Sequence, residues 1–293
     1  MRLPKKITTS YMTNFIKRSI SGIAFAGIML AALLLNEIVF GVVMAFALIV
    51  MMKEFLNMTC GKDYRFSQVL SIFAGLSLFS LVYFYRAGLL EGRLVVLVFI
   101  PVFILMINSL YVKDKSRFDK FSNLYTAILY IAVPWSLLNF AVFFPTALGG
   151  VEFDGKLLLG FFCIIWGSDV GAYLFGITLG QKYGKKLFPS ISPKKSWIGF
   201  WGGLLASIGI AIGLHYIGIL PFDLLHCICM AALLDVTGVY GDLIESQWKR
   251  HYNVKDSGNI IPGHGGLLDR FDSALIAIPV GIIYLVTVQV LFV

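Results

Sequence analysis

The residues able to do chemistry crowd into one stretch, SQWKRHYNVKDSGNIIPGHGGLLDRFD, running from Ser246 to Asp272. It lies between two long apolar runs, too polar to be buried in lipid and too patterned for a passive linker. Loops that hold chemistry on a rigid scaffold have this character. The run before it ends LLDVTGVYGDLIESQWKR. At about 100° per residue, Asp242, Ser246 and Lys249 fall within about 40° of Asp235, so one helix face presents all four in a row. Glu245 and Lys249, four residues apart, make an ordinary helix pair. That pairing does not explain Asp242, an acid two turns deeper in an apolar helix, where an ionisable side chain is costly and by default marks a function. Asp235 could equally pair with a neighbouring helix.

The other half of the stretch is PGHGGLLDRFD. Pro262 and Gly263 signal a turn, and Gly265 and Gly266 permit the positive φ angles by which consecutive N–H groups turn toward one anion. No Walker-type G-x-x-x-x-G-K-[ST] occurs in the chain. The glycines run straight into Asp269 and Asp272 on the opening turn of the last apolar run, where an acid can also serve as a plain helix cap. His264 can donate to a phosphate or simply order the turn.

Two further segments belong with these. WGSDVGAYLFG puts Asp169 midway along an apolar run, so its side chain should face a protein cavity rather than lipid. Its Gly167, Gly171 and Gly176 read as close helix-packing positions. GQKYGKKLFPSISPKKSWIGFWGG carries five lysines, Lys194 and Lys195 among them, with Ser190, Ser192 and Ser196. This loop attracts anions; the plainer alternative is a juxtamembrane segment resting on anionic lipid. Part of it, Ile191 to Ile198, also reads as the start of a helix broken by Pro193. His215 and His226 receive no role, and Cys60, Cys163, Cys227 and Cys229 lack metal-ligand spacing and read as small hydrophobes.

Acids and an anion-binding loop contradict one another unless a cation lies between them. Mg²⁺ resolves the conflict, because it takes one or two carboxylates and completes its octahedron with substrate phosphates and water. The residue types therefore predict a metal-dependent reaction on a polyphosphate at a membrane surface, with lysines and arginines on the leaving charge.

The elements that must position these groups follow from composition. Of 293 residues 58% are hydrophobic and only 14% charged, and mean hydropathy is +0.85, which excludes an ordinary soluble domain. The chain reads as an all-α, polytopic membrane protein with about nine spans, near 19–35, 38–52, 67–85, 94–112, 124–144, 157–180, 197–219, 222–245 and 273–292. A polar break at Asn36 and Glu37 leads directly into a second span, so the first is retained rather than cleaved. With the N-terminus in the cytoplasm, the Lys and Arg residues divide 21 to that side and 3 (Arg86, Arg93 and Lys156) to the other. The positive-inside rule thus sets the orientation and puts both polar loops where nucleotides are found, with Val293 near the far face. Residues 1–150 read as scaffold and dimer surface, and 151–293 as the catalytic region. The net charge of +8 belongs to this membrane topology and does not imply nucleic acid.

The stretch from Ser246 to Asp272 resembles the signature of the phosphatidate cytidylyltransferases, or CDP-diacylglycerol synthases. Ser246, Lys249, Arg250, Lys255, Asp256, Pro262, His264, Gly265, Gly266, Asp269, Arg270 and Asp272 fall at the family's spacing, and Trp248 stands where an aliphatic residue is usual. WGSDVGAYLFG and SPKKSWIGFWGG resemble upstream blocks of the same family, so the likeness covers about Trp166 to Ser273. It implies a polytopic homodimer of the cytoplasmic (inner) membrane, with its active site facing the cytoplasm. The implied reaction condenses CTP with phosphatidate, releasing pyrophosphate and giving CDP-diacylglycerol for phospholipid synthesis. It further implies Mg²⁺, with K⁺ in a second cation site. Carried onto this chain, Asp242 and Asp269 are the metal ligands, with Asp272 and Asp169 close by. Lys249, Arg250, Lys255, Arg270 and His264 contact phosphates, and Ser246, Lys194, Lys195, Ser196, Gly265 and Gly266 lie at the substrates. The rivals are a CTP-dependent lipid kinase of the polyprenol type and a lipid or phosphate transporter. Against the latter, transporters tend to show paired, interrupted helices in two halves, whereas here the polar residues keep to one.

Overall fold

The computed structural model describes residues 5–112 and 118–288, without the side chains of 5–17 and 183. Among these residues nine helices follow one another: α1 Lys5–Leu34, then α2 Glu37–Thr59, α3 Arg65–Arg86, α4 Gly92–Tyr111, α5 Phe118–Ala141, α6 Lys156–Gly180, α7 Trp197–Tyr216, α8 Leu224–His251 and α9 Leu268–Thr287. The last eight are long and apolar enough to cross a membrane, while the apolar part of α1, Arg18–Leu34, is shorter. The chain is a multi-pass, all-α membrane protein. Arg2, Lys113, Lys115, Arg117 and Val293, used above to orient the chain, lie outside the described residues.

Three expected boundaries move, each for a local reason. The second span does not stop at 52; α2 continues through Lys53 and Glu54 to Thr59, because Glu54 is buried against the start of α9. The eighth does not stop at 245 but runs to His251. Its polar last turns are held by the Glu245–Lys249 pair, and Lys249, Arg250 and His251 suit the negative end of the helix dipole. The last begins at Leu268 rather than 273, so Asp269 and Asp272 are both helical. The expected polar loop thereby shrinks to the residues between His251 and Leu268.

Two small antiparallel ribbons lie between spans. β1 Phe143–Pro145 pairs with β2 Val151–Phe153, and β3 Lys186–Phe188 pairs with β4 Ser192–Ser196. Pro193 is therefore in a strand of a two-stranded ribbon, where a missing N–H is tolerated, and not in a broken helix turn. Ser196 then caps α7, its Oγ accepting from Gly199 N at 3.1 Å.

Helices α6 to α9 form the part that matters for chemistry. α6 packs along α7, α7 against α8, and α8 along α9. The α6–α7 approach depends on glycine: a Cβ on Gly171 would stand 2.8 Å from Gly202 O and 2.5 Å from Ala206 Cβ. Lipid tails give no hydrophobic gain for helix association, so such small-residue contacts are what hold two spans together. α5 and α2 close the bundle on the far side of α9, through Trp135, Phe271 and Phe55. Trp248, the unusual residue of the signature stretch, packs edge-on against Phe55 at 5.2 Å and parallel to Tyr252 at 6.2 Å.

Candidate active site

Five acids share one cavity of about 490 Å³, four from three helices and Asp256 from the loop between α8 and α9. Asp169 comes from α6, Asp242 from α8, and Asp269 and Asp272 from the first two turns of α9; Lys194, Lys195 and Ser196 of β4 close the opposite wall. A second chamber of about 270 Å³ adjoins it, walled by Gly22, Phe25 and Ala26 of α1, Trp166 of α6, and Ile261 and His264 of the glycine turn. Asp169, Asp269, Arg270 and Asp272 line both chambers. Asp272 lies close enough to Asp242 and Asp169 for the three charges to repel one another.

The polar face of α8 splits into separate uses. Asp242 Oδ1 accepts from Ser246 Oγ at 3.1 Å, and its Oδ2 forms an ion pair with Lys195 Nζ at 2.7 Å. Asp235 is 2% exposed, accepts from Ser168 of α6 and takes no part in either chamber wall. Its role here is pairing with a neighbouring helix. Lys249 is buried between Glu245 and Asp269, 2.7 Å from Asp269 Oδ1.

Asp269 is the hub of the loop. Its Oδ2 accepts from Ser257 N at 2.9 Å, Ser257 Oγ at 3.0 Å and Gly266 N at 2.8 Å. The turn is made by Gly263 at φ 78° and Gly265 at φ 86°, and closes through Ile261 N to Gly265 O at 3.0 Å. This corrects the expectation that Gly265 and Gly266 together aim their N–H groups at an anion. Gly266 N is spent on Asp269, because a buried helix start must satisfy its own orphan donors. His264 Nδ1 meets Ser21 Oγ of α1 at 3.0 Å, and that hydroxyl also lies 3.0 Å from Pro262 O. Burial first, then Arg270 and Arg18, push the His264 pKa below 6.5, favouring neutral imidazole.

Of the expected site residues, Asp169, Asp242, Asp269, Asp272, Lys194, Lys195, Ser196, Lys249 and Arg270 line the larger chamber, and His264 the smaller. Ser246, Gly265 and Gly266 line neither chamber. Arg250, whose Nε reaches Ile191 O at 3.5 Å, and Lys255 are exposed outside them. One functional candidate had no counterpart in the sequence reading: Glu54 of α2, whose two oxygens accept from Leu267 N at 3.1 Å and Leu268 N at 2.8 Å.

The donors suit a hard cation. Every acid on the walls offers carboxylate oxygen, with no thiol and one imidazole nearby, which favours Mg²⁺-type ions over zinc. Among the described residues no three acid, His or Cys side chains form a closed metal cage. Mg²⁺ does not need one, since substrate phosphates and water fill most of its shell. Two of the carboxylates already hold a positive partner, Lys195 on Asp242 and Lys249 on Asp269.

The sequence profile of the Cytidylyltransferase family matches residues 16–288, nearly the whole chain. The chain belongs to the cytidylyltransferase family. Its relatives within the family include a protein of Bacillus subtilis (strain 168) named phosphatidate cytidylyltransferase, 38% identical over 179 residues, or 61% of this chain and 63% of the relative. A Staphylococcus haemolyticus protein of the same name is 33% identical over 231 residues, 79% of this chain and 84% of its own. A third so named, from Staphylococcus epidermidis, is 38% identical over 161 residues, or 55% of this chain and 59% of the relative. The matched stretch thus spans about three-fifths of the length of the first and third relatives. The family match takes in both chambers and also α2 with Glu54.

Proposed function

We propose that this chain transfers the cytidylyl group of CTP to phosphatidate, giving CDP-diacylglycerol and pyrophosphate for phospholipid synthesis, in a Mg²⁺-dependent reaction. One observation carries the reading: in a member of this family, five carboxylates, Lys195 and Arg270 wall a single cavity among the spans. The names of its relatives support the substrate class.

A phosphatidate oxygen, already anionic, attacks the α-phosphorus of CTP in line. The bond from that phosphorus to the oxygen bridging the β-phosphate breaks, and pyrophosphate leaves with the electron pair. No protein nucleophile is required, so the protein's work is positioning and charge neutralisation. Asp242 and Asp269 are the assigned ligands of Mg²⁺, with Asp169 and Asp272 beside them. Bound there, the ion would supply the neutralisation that lets a polyphosphate approach these acids. K⁺ in a second cation site belongs to the same reading.

Lys194, Lys249, Arg270 and His264 meet phosphates from the chamber walls, and Lys195 joins them when it leaves Asp242. Ser196 fixes the start of α7 beside them, and Ser246 holds the Asp242 carboxylate in place. Gly265 and Gly266 shape the loop that carries Asp269. Arg250 and Lys255, outside the walls, draw anionic nucleotide and headgroups toward the mouth. The division of 21 basic residues against 3 supports a site facing the cytoplasm across the inner membrane. The enzyme acts as a homodimer.

The deciding experiment incubates purified protein with CTP labelled at either the α- or the γ-phosphate, with phosphatidate and separately with a polyprenol. Label from the α-position in lipid, with phosphatidate alone, is the expected result. Transfer of the γ-label would make the protein a kinase and end this reading.

A further inference from the structure

Glu54 is an acid in the middle of an apolar sequence, ALIVMMKEFLNMT, and its side chain points inward: the residue is 8% exposed. Its neighbour Lys53 is exposed. Burying a carboxylate in such a helix is expensive unless every lone pair finds a donor. Here both oxygens do, and the donors lie more than two hundred residues away, at the first N–H groups of α9.

Those N–H groups need a partner. A helix leaves its first four donors unsatisfied, and α9 has no side-chain cap at Leu267. Two acids divide the task. Asp269 reaches back to Gly266 N, and Glu54 reaches across from α2 to Leu267 N and Leu268 N. The far end of the loop is held on the same carboxylate. A Cβ on Gly258 would collide with Glu54 Oε1, and one on Gly266 would stand 2.7 Å from Oε2. Both ends of the glycine loop therefore close on one side chain from the N-terminal half. Immediately after that clamp come Asp269, Arg270 and Asp272, all on the chamber walls.

We infer that Glu54 is a positioning residue for the cation and phosphate site: it sets the start of α9, and with it the placement of Asp269, Arg270 and Asp272, without itself touching substrate. The inference rests on the cytidylyltransfer reading above for its assay, but not for its geometry. Displacement of a reacting group by about 1 Å costs on the order of 10²-fold in rate. Gln in place of Glu54 keeps the shape but turns an NH₂ toward a backbone N–H, so one of the two bonds is lost.

The test compares wild type, Glu54→Gln, Glu54→Asp and Gly266→Ala in detergent, with Lys53→Gln as the outward-facing control. Thermal midpoint and monodispersity measure folding; kcat, KM for CTP and the half-saturating Mg²⁺ concentration measure positioning. Amide hydrogen exchange over residues 257–270 reads the loop without any turnover. The expected result is a folded Glu54→Gln protein with kcat lowered roughly tenfold or more, a raised half-saturating Mg²⁺ and faster exchange confined to that loop. Gly266→Ala, which presses on Ser257 Oγ as well as on the same carboxylate, should share the signature, Glu54→Asp should recover part of the loss, and Lys53→Gln should match wild type. Should Glu54→Gln not fold, Glu54→Asp and Gly266→Ala carry the same comparison. Loss of activity only in proportion to loss of folded protein, with kcat per folded enzyme, KM and half-saturating Mg²⁺ unchanged, overturns the inference. A wild type that forms no CDP-diacylglycerol would instead sink the functional reading, leaving the exchange measurement to decide on Glu54.

Discussion

Lys195 of the β3–β4 ribbon and Asp242 of α8 form an ion pair 2.7 Å long across the wall of the larger chamber. Lys195 Nζ also lies 3.4 Å from Val239 O, one turn deeper in the same helix. An ammonium thus rests on a carboxylate that the proposed function assigns to a divalent cation, and under that proposal the two positive partners would compete for it. Lys195→Met should lower the half-saturating Mg²⁺ concentration while reducing kcat/KM for CTP by roughly 10²-fold, since the lysine's phosphate contact is lost. A Mg²⁺ titration of initial rates separates the two effects; a rise in half-saturating Mg²⁺ would contradict the competition.

Asp242→Asn should abolish turnover while leaving insertion and folding intact. The substitution keeps the hydrogen bond from Ser246 Oγ and removes the charge together with the Lys195 ion pair. Membrane fractionation, a thermal melt and the labelled-CTP assay check the three parts, and a wild-type, Mg²⁺-dependent rate would rule out the metal assignment.

Lys249 sits with its side chain 11% exposed between Glu245 and Asp269. Removing one partner of a buried ionic cluster leaves the other charges uncompensated, which costs about 3–5 kcal/mol. Lys249→Met should therefore destabilise the protein by about that amount and inactivate it. Glu245→Gln combined with Lys249→Met should restore part of the thermal stability without activity, because Asp269 still lacks its partner. Differential scanning fluorimetry on the two variants makes the comparison.

Gly171 has no room for a side chain against Gly202 O. Gly171→Val should force α6 from α7, at about 1–3 kcal/mol for overpacking, and carry Asp169 away from the other acids. The measurable outcome is a lower melting point together with a kcat loss larger than that of Gly213→Val, a site on α7 where a Cβ meets nothing within 4 Å.

His264 gives the glycine turn a pH dependence. Its pKa is depressed below 6.5, so the folded loop binds fewer protons than the unfolded chain. Stability of the turn is then lost as pH falls through 6.5 toward the lowered value and is fully present above 6.5. Protection factors of the amides over residues 261–266, exchange rates corrected for the intrinsic pH dependence, should fall on acidification from pH 7.5 to 5.5, and His264→Gln should remove that change.

The acids of the site were legible for a simple reason: Asp169, Asp242, Asp269 and Asp272 stand in or beside long apolar runs, where a carboxylate must have a purpose. Glu54 is the same kind of residue and went unread. It follows Lys53, and a Lys-Glu pair after an apolar run looks like the end of a span, although α2 continues past both. The polar ends of α8 and α9 were misjudged on the same ground, since hydropathy cannot see the partners that let a charged turn stay helical. Pairing was the other hidden layer. That Lys249 rests on Asp269, and that Gly266 N serves Asp269, depends on distant segments meeting, which no spacing along the chain records. The small residues of α6 were read correctly, because close helix approach needs little beyond the absence of a side chain.

The wall that the two chambers share, Asp169, Asp269, Arg270 and Asp272, makes their occupancies interdependent. Whatever settles on one side with its counter-charge relieves the repulsion felt by an anion arriving on the other. Loading should accordingly be cooperative, and a single compound carrying two anionic groups on a spacer long enough to straddle that partition would gain from both compartments at once.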